Sequence, residues 1–258
     1  MGNTVQSCSF RTLKYGPLDA QEGDLYLPHV SRPPVVCLLH GGFWRMPYGR
    51  DELHPVATDL VARGHAVWNI EYRRLGAPGG GWPGTLDDVA SAVDHLATLA
   101  SDGVELDLDR VTLVGHSAGG QLALWAAAQA RRSDRRTSVR VRPGAVVGLA
   151  AVADLARTWE IGAGKGAVND FIGGGPDQCA DRYAVASPIE LLPLGVRQLV
   201  IHGANDDALP VGLSRNYASA AKAYGDSVTY VELPDAGHMD FLDPGSRAHA
   251  ALCEWLAT

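Results

Sequence analysis

A serine set between two glycines, Gly115-His116-Ser117-Ala118-Gly119, is the arrangement in this chain whose residue types most directly offer chemistry. The pattern G-x-S-x-G suits a sharp strand-to-helix turn that exposes the hydroxyl, with small residues where the two backbones crowd. A serine hydroxyl is a weak nucleophile at neutral pH, so it needs a base, and the base needs an acid to fix its tautomer. On such a turn the partners follow in the order acid, then histidine. Of nine histidines, only His202, His238 and His249 lie beyond Ser117. His238 follows an apolar run and the loop Pro234-Asp235-Ala236-Gly237, which makes it the expected base. His202 ends an apolar run and reads as support for the next turn; His249 falls in a terminal helical pattern and reads as structural. For the acid, Asp206 and Asp207 share the loop after 199–201, and position favours Asp206. Asp235 and Asp240 flank His238 as competing carboxylates. The chemistry these residues suit is acyl transfer: attack on an ester or amide carbonyl, an acyl-enzyme, then water.

The tetrahedral oxyanion of that reaction needs donors. One is expected from the N–H of Ala118, and a second from Gly42 or Phe43 in the turn His40-Gly41-Gly42-Phe43-Trp44. Losing one such donor typically costs about 100- to 1000-fold in rate. Trp44, Trp82 and Trp159 fall in or near loops expected at the mouth and are candidate substrate contacts. Arg45 and Arg74 are candidates to receive a substrate carboxylate. No HExxH metal motif and no dinucleotide fingerprint occurs, so no metal or cofactor is expected. In Gly162-Ala163-Gly164-Lys165-Gly166 a glycine follows the lysine where a phosphate loop needs Ser or Thr, which sets phosphate binding aside.

These residues need a scaffold that brings distant segments to one edge. Continuous apolar runs at 35–39, 66–70, 111–114, 145–152, 199–201 and 228–233 read as strands covered on both faces. Helical patterns separate them at 52–63, 86–100, 118–131 and 211–224, with a last one at 247–256. Thr85 reads as the cap of the second helix, with Asp87 and Asp88 in its first turn. Residues 7–13 and 23–27 suit an antiparallel edge. The alternation predicts an α/β fold with a mostly parallel sheet, whose strand ends hold the ligand. Residues 154–193 break the rhythm with many glycines and read as a lid-like insertion.

Composition narrows the class. The chain of 258 residues is 46% apolar, enough for a substantial core, and is read as a single domain spanning 1–258. Its net charge of −7 gives no footprint for nucleic acid. Arg131, Arg132, Arg135 and Arg136 cluster around Asp134 and read as a solvated helix end. Cys8, Cys37, Cys179 and Cys253 form no ligand-like spacing, so a reducing compartment is the plainer reading. Neither a signal peptide nor a run of the roughly 20 apolar residues that span a bilayer is found, and a soluble cytoplasmic protein without membrane partners is expected. Oligomeric state is not readable.

At the residues quoted, the sequence resembles the α/β-hydrolases, within the esterase, arylformamidase and prolyl-oligopeptidase-like group. The shared pieces are residues 40–44, 115–120, 202–210 and 237–238, with weaker similarity at Tyr72-Arg73-Arg74, 83–89 and 183–188. The resemblance runs from about residue 20 onward. It implies an eight-stranded, mostly parallel sheet with helices on both faces and a triad matching Ser117, Asp206 and His238. A small-molecule ester or amide is the implied substrate, and residues 40–44 are most similar to kynurenine formamidases and small-molecule esterases. A biosynthetic cyclase, dehydratase or acyltransferase, and a non-catalytic binding protein on the same fold, stay open.

Overall fold

The computed structural model describes residues 9–131 and 141–258. Cys8 and the cluster members Arg132, Asp134, Arg135 and Arg136 lie outside these residues; Arg131 is an exposed turn residue. One sheet carries eight strands: β1 (Phe10–Lys14), β2 (Glu22–Tyr26), β3 (Pro34–Leu39), β4 (Ala66–Ile70), β5 (Asp107–His116), β6 (Ala145–Leu149), β7 (Arg197–Gly203) and β8 (Val228–Leu233). Their spatial order is β1-β2-β4-β3-β5-β6-β7-β8. The β1–β2 and β2–β4 pairs are antiparallel and the other pairs parallel. The helices are α1 (His54–Ala62), α2 (Gly84–Ser101), α3 (Ala118–Gln129), α4 (Leu155–Glu160), α5 (Ala167–Ile172), α6 (Ala180–Ala186), α7 (Gly212–Ala223) and α8 (Arg247–Leu256).

Period-two alternation divides the strand side chains between two cores. Val35, Cys37 and Leu39 of β3 join Leu86, Leu122 and Tyr217, so α2, α3 and α7 cover one face. Val36 and Leu38 join Leu60 and Leu252, so α1 and α8 cover the other. All residues of β4 and β6 are buried, as expected for strands covered on both sides. The eight-stranded, mostly parallel sheet with helices on both faces agrees with the expectation.

Several boundaries differ. The fourth run ends as a strand at Leu149 rather than 152, because Ala150 turns to φ +46° and donates its N–H to Ile201 O. Thr85 does not cap α2, which begins at Gly84; its hydroxyl donates to Arg73 O and accepts from Gly81 N–H. The 154–193 insertion is not one irregular loop but holds α4, α5, α6 and a 3-10 turn at Pro188–Leu191. Among the described residues no helix is long and apolar enough to cross a membrane. Cys37, Cys179 and Cys253 are free thiols.

Candidate active site

Ser117 joins the end of β5 to the start of α3 at φ +56° and ψ −119°, a conformation that L-residues rarely adopt. The turn is pinned from β6: Ser117 N–H donates to Leu149 O at 2.8 Å, and Val152 N–H donates to Ser117 O at 3.2 Å. At Gly119 a side chain would overlap the carbonyl oxygens of Leu39 and His40, so the start of α3 can lie against the end of β3 only without one. Ala118 N–H opens α3, where no intrahelical acceptor exists, and the Ser117 side chain does not cap it.

The turn after β3 runs over this serine. A Cβ at Gly41 would sit 3.1 Å from Ser117 Cβ. Gly42, Phe43 and Trp44 follow one another at φ +91°, +49° and +55°, and Arg45 N–H donates back to Gly42 O at 3.0 Å. His40 anchors the turn from below, with its ring stacked on Tyr72 and its Nε2 2.8 Å from Glu71 Oε1. Burial is the largest influence on the Glu71 carboxyl and would raise it, but His40, the Tyr72 N–H and Arg74 together hold its pKa below the usual value.

The loops after β7 and β8 meet beside that turn. Ala204 N–H donates to Leu233 O and Asn205 N–H to Ala236 O, which ties the two loops together. His238 Nδ1 lies 2.7 Å from Asp206 Oδ2. The second oxygen, Oδ1, accepts from Ala208 N–H at 2.9 Å and Leu209 N–H at 2.7 Å. Burial would raise the Asp206 carboxyl, yet the hydrogen bonds of His202, His238 and Leu209 hold its pKa well below the carboxylate range. It is Asp206, not the exposed Asp207, that reaches the imidazole. Asp235 is exposed and paired with Arg247, while Asp240 accepts from Gly237 N–H.

His116, beside the serine, links it to His238. Its Nε2 lies 2.9 Å from the carbonyl oxygen of His238, which can only accept, and the two rings are 4.7 Å apart. Burial, then the neighbouring His238, pushes the His116 pKa down to about 3, so it donates as a neutral ring. His116 carries no signal of its own in the sequence, because the x positions of G-x-S-x-G have no fixed identity. No hydrogen bond joins Ser117 Oγ to His238 among the described residues. Such pairs often tighten only when substrate is bound.

The five residues expected to contact substrate are placed differently. Trp44 is fully buried, stacked on Phe171 at 4.4 Å, and donates its indole N–H to Gln121 Oε1 at 3.0 Å. It packs the insertion onto the sheet and presents no face to a ligand, which corrects its reading as a contact. Arg45 is engaged by Asp170 at 2.6 Å and by the carbonyls of Gly164 and Lys165. Arg74 is held by Glu71 and the Tyr48 carbonyl, so both arginines already have partners within the chain. Trp82 is half-buried against the core, with its backbone N–H donating to Phe171 O. Trp159, on α4, remains 41% exposed.

A second cluster lies on the other face of the sheet, where Asp59, His249 and Cys253 bring three metal-ligand atoms within 4.8 Å of one another. Its Asp59 Oδ2 is already held by Arg63 and His249, both at 2.6 Å. A metal on His249 Nε2 would leave a proton on the buried Nδ1, which has no partner, whereas metal-bound histidines normally donate that proton. The trio fits a hydrogen-bonded helix contact better than a metal centre.

Fold and site together define an α/β-hydrolase of the esterase and formamidase-like group. The BD-FAE family profile matches residues 24–220, and the chain belongs to that family; the match ends before His238. The chain is 30% identical to esterase LipC of Mycobacterium tuberculosis over 259 residues, covering 93% of this chain and 63% of LipC. It is 27% identical to kynurenine formamidase avaC of Aspergillus versicolor over 222 residues, covering 72% of this chain and 74% of the relative. A truncated carbohydrate esterase from gut microbiota superposes with a TM-score of 0.84 at 20% identity, covering 96% of this chain and 95% of that one, and so shares the fold.

Proposed function

We propose that this protein hydrolyses uncharged small-molecule carboxylic esters through an acyl-enzyme on Ser117. The observation that carries the reading is the strained Ser117 turn lying under residues 40–44, with the His238–Asp206 pair at 2.7 Å on the adjoining loops. Ser117 Oγ attacks the carbonyl carbon while His238 Nε2 takes the hydroxyl proton. Asp206 holds the Nδ1 proton, which fixes the tautomer and stabilises the imidazolium. Ala118 N–H and an N–H of Gly42 or Phe43 receive the oxyanion. His238 returns the proton to the leaving alcohol, then takes one from the water that breaks the acyl-enzyme. No step calls for a metal or cofactor.

The preference for an uncharged substrate rests on the two arginines near the mouth. An amino-acid-like formamide would bring a carboxylate, and both Arg45 and Arg74 already have partners. The likeness to kynurenine formamidase supports formamide cleavage as a second activity of the same site. Purified protein is to be assayed with p-nitrophenyl acetate, butyrate and octanoate beside N-formylkynurenine. We expect kcat/KM on the best ester to exceed that on the formamide at least about tenfold, a margin of about 1.4 kcal/mol in barrier. The reverse order would move the assignment to arylformamidase. A fluorophosphonate probe should label the wild type and not Ser117→Ala; equal labelling would reject the nucleophile.

A further inference from the structure

The Asp206 carboxylate serves two imidazoles. Oδ2 lies 2.7 Å from His238 Nδ1 and 3.0 Å from His202 Nε2. His202 is fully buried at the end of β7, with its Nε2 also 3.1 Å from Leu209 O and its Nδ1 2.7 Å from Ser214 Oγ on α7. A carbonyl and a carboxylate can only accept, so the His202 proton sits on Nε2, and Nδ1 accepts the Ser214 hydroxyl. We propose that His202 is a positioning residue for Asp206, with Ser214 fixing the His202 tautomer; this rests on the acyl-transfer reading above.

The arrangement has two consequences. Four donors clamp the carboxylate: His238 and His202 on Oδ2, Ala208 and Leu209 N–H on Oδ1. The acid therefore cannot rotate away while His238 shuttles a proton. The second donor on Oδ2 also draws electron density from the bond to His238, so the imidazolium formed during attack is stabilised less than by an unshared carboxylate. Among the described residues, the other titratable and charged groups facing this chain of bonds include His116 beside His238, and Glu232 of β8, which is paired with Arg215 of α7 and accepts from the Tyr230 hydroxyl. A residue that only filled space would not alter the proton affinity of the base.

The test compares His202→Leu, His202→Gln, Ser214→Ala and Asp206→Asn with the wild type. The readouts are kcat and KM for a neutral p-nitrophenyl ester from about pH 5 to pH 9, with melting temperature recorded for each variant. Removing the donor in His202→Leu should lower kcat about 10- to 100-fold, with KM changed less than about twofold. It should also move the acid limb of the kcat/KM profile to higher pH. His202→Gln, which can still donate an N–H, should recover much of both. Ser214→Ala should move the limb the same way by less, and it carries the test if His202→Leu does not fold. An acid limb that stays in place in these variants would overturn the proposal, whatever happens to the melting temperature. Asp206→Asn separates the two levels. A collapse of kcat there with the limb unmoved in the His202 and Ser214 variants defeats the positioning role alone. Wild-type kcat in Asp206→Asn defeats the acyl-transfer reading, and the positioning role with it.

Discussion

Ser117 holds a backbone conformation that costs of order 1–3 kcal/mol, and the surrounding contacts from Leu149, Val152 and Gly119 keep it there. His116 does related work one residue earlier, fixing the loop that carries His238 through a single N–H to a carbonyl. Its role makes a testable link between site and stability. The folded-state pKa is pushed down to about 3 by burial and by His238, while in the unfolded chain the group titrates near about 6.5. Between those values the unfolded state binds a proton that the folded state refuses. Stability from this group is thus full above about pH 6.5, falls as the pH drops, and levels off below about pH 3. At about pH 5 the loss is about 2 kcal/mol. His116→Gln keeps a donor for the His238 carbonyl and cannot take the proton. Urea unfolding at about pH 7.5 and about pH 5 should show a stability gap smaller by about 2 kcal/mol in the variant than in the wild type. An unchanged gap would contradict this account of His116.

At the scale of elements, the insertion is fastened to the turn that passes over Ser117. Trp44 stacks on Phe171 of α5, Arg45 pairs with Asp170, and Phe43 packs so closely on Gly164 that a side chain there would meet its ring. Phe171 is fully buried, whereas the Arg45 and Asp170 side chains are 33% and 52% exposed. Burial decides between them. Phe171→Ala should cost about 3–5 kcal/mol of unfolding free energy, and Asp170→Ala less than about 1 kcal/mol. Denaturant unfolding of the two variants checks the order, and a larger loss in Asp170→Ala would reverse it. The insertion also shows where pattern reading stops. Six and seven residues make at most two turns, too few for a 3.6-residue period to emerge, so α4, α5 and α6 were not visible among the glycines. The strands and longer helices were legible because burial on both faces leaves unbroken apolar runs. Trp44 was misread for a related reason: residue type suggests an aromatic contact, but only tertiary packing decides whether the ring faces a ligand or α5.

Across the whole molecule, the site exists because a parallel sheet delivers the carboxyl ends of its strands to one edge. β3 supplies the turn at residues 40–44, β5 leads into Ser117, β7 into the loop of Asp206 and β8 into the loop of His238, although Ser117 and His238 lie 121 positions apart in the chain. That convergence was readable from motif order and the runs preceding each motif. The sharing of Asp206 between two imidazoles was not, since spacing gives no donor directions. If Ser117 carries the acyl group, the intermediate can be trapped on it. Wild-type protein turning over a p-nitrophenyl ester is quenched in acid, and its peptides are weighed by mass spectrometry. The peptide containing Ser117 should gain the mass of one acyl group, absent from Ser117→Ala, which should be inactive. Turnover at the wild-type rate by Ser117→Ala, or an acyl adduct found only on another residue, would contradict an acyl-enzyme on Ser117.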